Sequence, residues 1–292
     1  MKTYRIGRSH KFFDVTAGIV GREIRMGDTV TFLSEIDLSE VESIRQAVPK
    51  GGNKPSYTAF VAKAVALALR EFPYANRRLF RLFGLPFLRR RFQQFTRCDI
   101  TVAVERDVPG VEVATFIDIL RDVDQRSLAG LTRQLHALAT SDETTNRQWR
   151  QFKTISTCLP VWLAKWIVRM PVHIPSLWAK YRGGSVLISS PAKYGVDAVV
   201  GAWMAPIGIS FGLVKDRAVV RRGAVVARRT FVLTLNFDRR MMAGAQAAKF
   251  YRRIADILEH ARTEMGEMDS GKNTPVPAAA NRIAALAARD KE

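Results

Sequence analysis

The run Thr230–Leu235 (Thr-Phe-Val-Leu-Thr-Leu), followed within a few residues by an amphipathic stretch, constrains this chain more than any other feature. Its β-branched and apolar residues read as a strand. Over Gln246–Arg262, Ala247, Phe250, Ile254 and Leu258 recur at helical spacing. Between them lies Asn236–Ala245, Asn-Phe-Asp-Arg-Arg-Met-Met-Ala-Gly-Ala. A junction that carries an Asp, paired arginines and a Gly is a common place for a site.

The second anchor is Tyr57–Glu71, which follows the turn Gly51–Pro55. It is apolar nearly all round, as a buried helix must be, and Ser56 supplies its cap. Thr29–Ile36 reads as a strand, leading into a short helix with Val41 and Ile44, capped by Asp37 or Ser39. Asp99–Val104 and Val111–Phe116 read as strands, and Ser127 caps a helix over Ser127–Ala139. Thr140–Asn146 is a polar loop, and Lys215–Arg229 a strongly basic hairpin.

The chain has 292 residues, 47% of them hydrophobic, enough for one large domain or two small ones with a substantial core. A formal charge of +19 predicts attraction to an anionic partner: an acidic membrane surface, an acidic protein, nucleic acid or a phosphorylated cofactor. The bland alternative is a basic surface without a specific partner. The arginines are dispersed and form no nucleic-acid module, which argues against nucleic acid. Cys98 and Cys158 form no paired motif, and His10, His136, His173 and His260 show no metal spacing, so no metal is expected. Met1–Lys11 has no apolar core of a signal peptide, and no uncharged run reaches membrane-spanning length, so a cytoplasmic location is expected.

The junction resembles the catalytic signature of the 2-oxoacid dehydrogenase acyltransferase family, whose relatives include chloramphenicol acetyltransferase. That signature reads Asp-His-Arg-x-x-Asp-Gly-Ala. Asp238, Arg240, Gly244 and Ala245 match it, whereas Arg239 takes the place of the catalytic histidine and Ala243 that of the second aspartate. Phe72-Pro73 and Asn76 after the buried helix resemble a further family turn, as does Leu120–Leu128. Gly184–Ser190 resembles the strand whose hydroxyl stabilises the family's oxyanion, placing Ser189 in that role, with Ser190 on the opposite face. Ala202–Gly212 resembles a strand preceded by a proline.

The resemblance implies an α/β, chloramphenicol acetyltransferase-like two-layer sandwich, a mixed sheet covered by helices. Two basic and aromatic helical insertions, about 79–97 and 149–182, interrupt it. The expected division is an N-terminal arm (1–28), a catalytic-core domain (29–262), then a linker and short C-terminal helix (263–292). The resemblance further implies coenzyme A or acyl-coenzyme A as ligand and a homotrimer whose sites lie between subunits, Arg239 of one chain facing Ser189 of the next. An acyl carrier or a 2-oxoacid dehydrogenase-type enzyme is the implied partner. No lipoyl domain is expected in the chain.

In the family a histidine takes the proton from a thiol or hydroxyl that attacks an acyl thioester. A guanidinium stays protonated and has no acceptor, so Arg239 cannot do this. Losing a general base costs about 10²- to 10⁴-fold. Two readings follow: a catalytically degenerate protein that serves as a trimeric scaffold or binder, or an acyltransferase working through Ser189 with another base. Arg239 is alternatively an anion binder. Trp162, Trp166 and Trp178, with Lys165, Arg169, Lys180 and Arg182, and the arginines 89–91, suggest a membrane-peripheral surface or, equally, helices packed on the core.

Overall fold

The computed structural model describes residues 28–269 apart from 50, 83–84, 86, 88–90, 109 and 222, together with 11–12 and 14–15. The elements are β1 (Thr29–Asp37), α1 (Ser39–Gln46), α2 (Tyr57–Glu71), β2 (Arg77–Phe80), β3 (Arg91–Gln94), β4 (Ile100–Val108) and β5 (Val111–Leu120). There follow α3 (Leu128–Thr140), α4 (Arg147–Cys158), α5 (Val161–His173), α6 (Pro175–Tyr181), β6 (Val186–Ser189) and β7 (Ile207–Phe211). The chain continues through β8 (Lys215–Arg221), β9 (Ala224–Asp238), α7 (Gly244–Glu259) and α8 (Ala261–Asp269).

Strand β9 is the spine of the molecule. Its second half pairs with β1 on one side and β7 on the other, and its first half forms the basic hairpin with β8. The sheet order is β1-β9-β7-β6-β4-β5. The β4–β6 and β6–β7 pairings are parallel and the others antiparallel, so the sheet is mixed as expected.

Alternation along β9 sends Phe231, Leu233, Leu235 and Phe237 into the core. There they share one cluster with Phe60, Val65 and Leu69 of α2 and with Phe250, Ile254 and Leu258 of α7. Each such side chain contributes about 1.5–3 kcal/mol through burial alone, so this layer holds the fold together. The opposite face of β9 carries Thr230, Thr234 and Asn236, which are also buried.

The predicted caps of α2 and α3 form, whereas the N-cap of α1 is Leu38, without a side-chain cap. Ser56 Oγ accepts from the Ala59 amide and Ser127 Oγ from the Gly130 amide, each at 3.1 Å. The Asp37 carboxylate accepts from the Ser39 amide at 2.9 Å at the start of α1. Near-continuous apolarity hid one exception, because Lys63 in α2 is buried. It donates to the carbonyls of Asp124 (2.9 Å) and Arg126 (2.5 Å).

Three expectations need correction. The strand leading to the motif runs to Asp238, so Asn236, Phe237 and Asp238 are strand residues rather than a junction. Among its described residues the first insertion is strand rather than helix: β2 and β3 pair antiparallel, Arg77 opposite Gln94 through Phe80 opposite Arg91. Gly84 and Pro86 in the intervening sequence oppose a continuous helix. The second insertion is helical, formed by α4, α5 and α6. Finally, Ala261–Asp269 is a helix where a linker from 263 was expected, because Met265 is drawn into the core. The expected C-terminal helix and most of the N-terminal arm lie outside the described residues. Phe12 of that arm is buried against Trp149 and Phe152.

Candidate functional site

The motif is folded around Arg240. Its Nε donates to Asp238 Oδ1 at 2.9 Å and its Nη2 to Asp238 Oδ2 at 2.6 Å, while Nη1 lies 2.9 Å from Asp28 Oδ2. Asp238 also accepts from the Arg240 amide at 2.9 Å. The hydrogen bond from Asp238, joined by the charges of Asp238 and Asp28, raises the Arg240 pKa against the effect of burial. Asp28, which no sequence pattern singled out, is thus the second carboxylate on Arg240. Its contribution depends on β1 lying beside β9, with Thr29 opposite Asp238.

Arg239 behaves differently. Its amide donates to the Asp28 carbonyl at 2.8 Å, but its side chain is exposed and forms no hydrogen bond or ion pair with a described residue. Ala243 sits at the N-cap of α7, where its amide donates to Gln246 Oε1 at 3.1 Å. Only half of a capping box is therefore present, since alanine has no side-chain acceptor. Gly244 opens α7 with free space around the position of a Cβ, so no steric demand requires a glycine there.

Ser189 ends β6, and its hydroxyl makes no hydrogen bond to a described residue. It pairs with Ser210 on β7, which pairs with Thr234 on β9, so these three side chains share the face opposite the core. The hydroxyls of Ser210 and Thr234 are buried and unpartnered. Ser190 Oγ, by contrast, donates to the Phe211 carbonyl at 2.8 Å and is spent structurally. The loop after β6 covers this polar face, with the Trp203 ring so close over Gly208 that a Cβ there would lie 2.2 Å from it.

The same register separates the two candidate groups within one chain. Ser189 is level with Thr234, two strands across from β9, and Arg239 lies five residues further along β9. At about 4.8 Å per strand and 3.4 Å per residue, the backbones are roughly 20 Å apart.

The second insertion surrounds two spaces. A cavity of about 890 Å³, lined largely by apolar residues such as Phe116, Phe152, Ile155 and Leu177, lies between β5 and α4–α6. A smaller one of about 310 Å³ meets the motif at Asp238 and Arg240. Trp162 and Trp166 of α5 are exposed, whereas Trp178 is buried and donates its Nε1–H to the Gly184 carbonyl at 3.0 Å. Trp178 and the buried Arg182 are therefore not part of the outward surface expected for a membrane contact. Among the described residues, no group of three His, Cys, Asp or Glu side chains is placed to hold a metal ion, and no helix is long and apolar enough to cross a membrane.

Comparison with known proteins agrees with this architecture. A dihydrolipoamide acetyltransferase of Azotobacter vinelandii, 21% identical, superposes with a TM-score of 0.64 over 89% of this chain and 93% of its own. One from Listeria monocytogenes, 20% identical, gives 0.60 over 88% and 94%. Among curated proteins, the dihydrolipoyllysine-residue succinyltransferase component of the Bartonella vinsonii 2-oxoglutarate dehydrogenase complex is 24% identical over 79% of this chain and 47% of its own. The acetyltransferase component of the Bacillus subtilis pyruvate dehydrogenase complex is 22% identical over 78% and 44%. The chain thus spans about half the length of the curated relatives it matches. The family model for the catalytic domain of 2-oxoacid dehydrogenase acyltransferases matches residues 25–158 and 178–265, leaving α5 entirely unmatched. With both halves of the fold and the Asp238–Arg240 junction inside that match, the chain belongs to the 2-oxoacid dehydrogenase acyltransferase catalytic-domain family.

Proposed function

We propose that this chain is a base-deficient acyltransferase core that binds and assembles rather than turning over acyl groups by the family's general-base route. The observation that carries the reading is Arg239. It stands at the histidine position, exposed and without an acceptor atom, so it cannot take a proton from an attacking thiol. The surrounding frame is intact, because Asp28 and Asp238 satisfy Arg240 despite Ala243. Fold and chemistry are therefore separable here.

The assembly proposed is a homotrimer. Ser189 and Arg239 lie at opposite ends of the sheet in one chain, so a site that combines them needs a second copy. A 2-oxoacid dehydrogenase-type enzyme or an acyl carrier in the cytoplasm is the proposed partner, with acyl-coenzyme A as the ligand class. The exposed Trp162 and Trp166 form the remaining candidate surface for an anionic membrane.

Residual transfer from acyl-coenzyme A is the second reading, favoured by one observation: the Ser189 hydroxyl is uncommitted and flanked by the unpartnered Ser210 hydroxyl. It would hold the oxyanion developing on a thioester carbonyl. Thiol release from short and long acyl-coenzyme A thioesters separates the two readings, with wild type beside Ser189→Ala and Arg239→His. Silence in the wild type with activity gained in Arg239→His supports the base-deficient reading. Wild-type release abolished by Ser189→Ala overturns it in favour of a working enzyme.

A further inference from the structure

The β2–β3 pair, the end of α5 and the end of β9 close around the cavity of about 310 Å³. Arg78 of β2 is only 2% exposed. Its Nε donates to Gln93 Oε1 at 2.7 Å and its Nη1 to the Val172 carbonyl at 2.8 Å, but its Nη2 is buried and finds no acceptor. No carboxylate pairs with it among the described residues. It lies instead 4.2 Å from the Trp178 ring, a contact that orients the guanidinium without neutralising it.

Two more donors share this condition. Arg169 Nε on α5 and Asn236 Nδ2 on β9 are buried and unpartnered. The orientation of the Asn236 amide is settled by its other end, where Oδ1 accepts from Thr31 Oγ1 at 2.6 Å and from the Gly201 amide at 3.3 Å. The nitrogen is therefore the end left without a partner, at a residue 1% exposed.

Neither Arg78 nor Arg169 has a carboxylate partner among the described residues. At the cavity's edge, Asp238 and Asp28 are both taken up by Arg240, at 2.6 and 2.9 Å. Burial, then the neighbouring Arg182, pull Arg78 down to about 9, which leaves it charged at neutral pH. Burial followed by the charges of Arg169 and Arg78 lowers the His173 pKa, although the Arg81 carbonyl opposes them. Cations crowded into a space with spare donors, where the nearby carboxylates are already engaged by Arg240, constitute a costly arrangement that a ligand would relieve.

We propose that this cavity binds a compact oxyanion, a phosphate or carboxylate group of a small molecule, through Arg78 Nη2, Arg169 Nε and Asn236 Nδ2. Three donors, two of them cationic, suit an anion presenting several oxygens. The volume lies at the small end of ligand sites, which limits the occupant to a small molecule or one end of a larger one. Arg169 belongs to the stretch that the family model leaves unmatched, so the site depends on this chain's own insertion. It does not depend on Ser189 chemistry, and its occupancy is measurable in a protein that transfers no acyl group.

The test is thermal unfolding of the full chain in inorganic phosphate, succinate or chloride at matched ionic strength, for the wild type and Arg169→Gln. The Arg169 side chain has no hydrogen-bond partner among the described residues, so replacing it strands nothing in the fold. The expected result is a saturable rise in Tm with phosphate or succinate, about 5–10 °C at a hundredfold excess over Kd. Whichever anion acts at lower concentration identifies the source of the oxyanion. Arg169→Gln should bind at least tenfold more weakly by calorimetric titration, and should melt higher than the wild type in chloride because one crowded cation is gone. No response beyond chloride, or an equal response in Arg169→Gln, overturns the proposal.

Discussion

Arg240 and Asp28 pair at 2.9 Å, joining the turn after β9 to the residue that precedes β1. The contact supplies a carboxylate to a motif whose own second acidic position is Ala243, and it does so from the other end of the chain. Both side chains are partly exposed, so its energy is modest. Asp28→Asn is expected to cost about 0.5 kcal/mol in denaturant unfolding. Asp238→Ala should cost about 1–2 kcal/mol, because it removes the acceptor for both the Arg240 side chain and its amide. The reverse order would show that Asp28 is the principal partner.

The empty capping position offers an opposite-signed change. Ala243→Asp places an acceptor at the N-cap of α7, where the first turn has only Gln246 reaching back. It should stabilise the protein by about 0.5–1 kcal/mol, read as a higher unfolding midpoint at unchanged slope. A loss of stability would mean that the family's aspartate no longer fits this junction.

Lys63 tests the buried polar chemistry of α2. Its ammonium closes the carbonyls of Asp124 and Arg126 from inside the core. Lys63→Met keeps the stem but leaves those carbonyls unpaired, with an expected cost of about 2–3 kcal/mol. A Met variant as stable as the wild type would show that the lysine merely fills space.

The two cysteines should separate cleanly in a thiol assay. Burial, followed by the charge of Asp124, pushes the Cys98 thiol up to about 12, while Cys158 is exposed. One equivalent of Ellman's reagent should react at pH 8 in the native protein, and the second only after denaturation. Rapid labelling of both in buffer would place Cys98 in an accessible or opening part of the core.

His173 predicts an acid limb. Burial and then Arg169 lower its pKa in the folded state from the ordinary 6.5. The unfolded chain consequently binds the proton more readily, and stability falls as pH drops through and below 6.5. His173→Gln should flatten this limb in unfolding experiments between pH 7 and pH 5. An unchanged slope would assign the acid sensitivity to other groups.

Much of this protein was legible in one dimension because the relevant physics is local. A hydroxyl at Ser56 or Ser127 caps the helix that begins at the next residue, and the alternation of Phe231, Leu233, Leu235 and Phe237 points one face of a strand inward. The family signature is similarly contiguous, so its retained and replaced members, Asp238, Arg239, Arg240 and Ala243, were visible without coordinates. Periodicity failed where a partner decided the outcome. The buried Lys63 went unmarked in a helix apolar nearly all round, because its acceptors come from the turn at Asp124–Arg126, and Met265 joined the core from a stretch polar enough to read as a linker.

By itself, then, the sequence determined the main helix boundaries and, through the resemblance it carries, the family and its α/β class, with an arginine at position 239. Only the tertiary structure decided that β2 pairs with β3, that Trp178 turns inward, and that Asp28 joins Asp238 on Arg240. It alone brought Arg78, Arg169 and Asn236 to one cavity while holding Ser189 and Arg239 at opposite ends of a sheet. The physical reason is common to all of these. Caps and alternation act over a few residues, whereas charge compensation, burial and site assembly depend on strand register and packing between segments that the linear order leaves far apart.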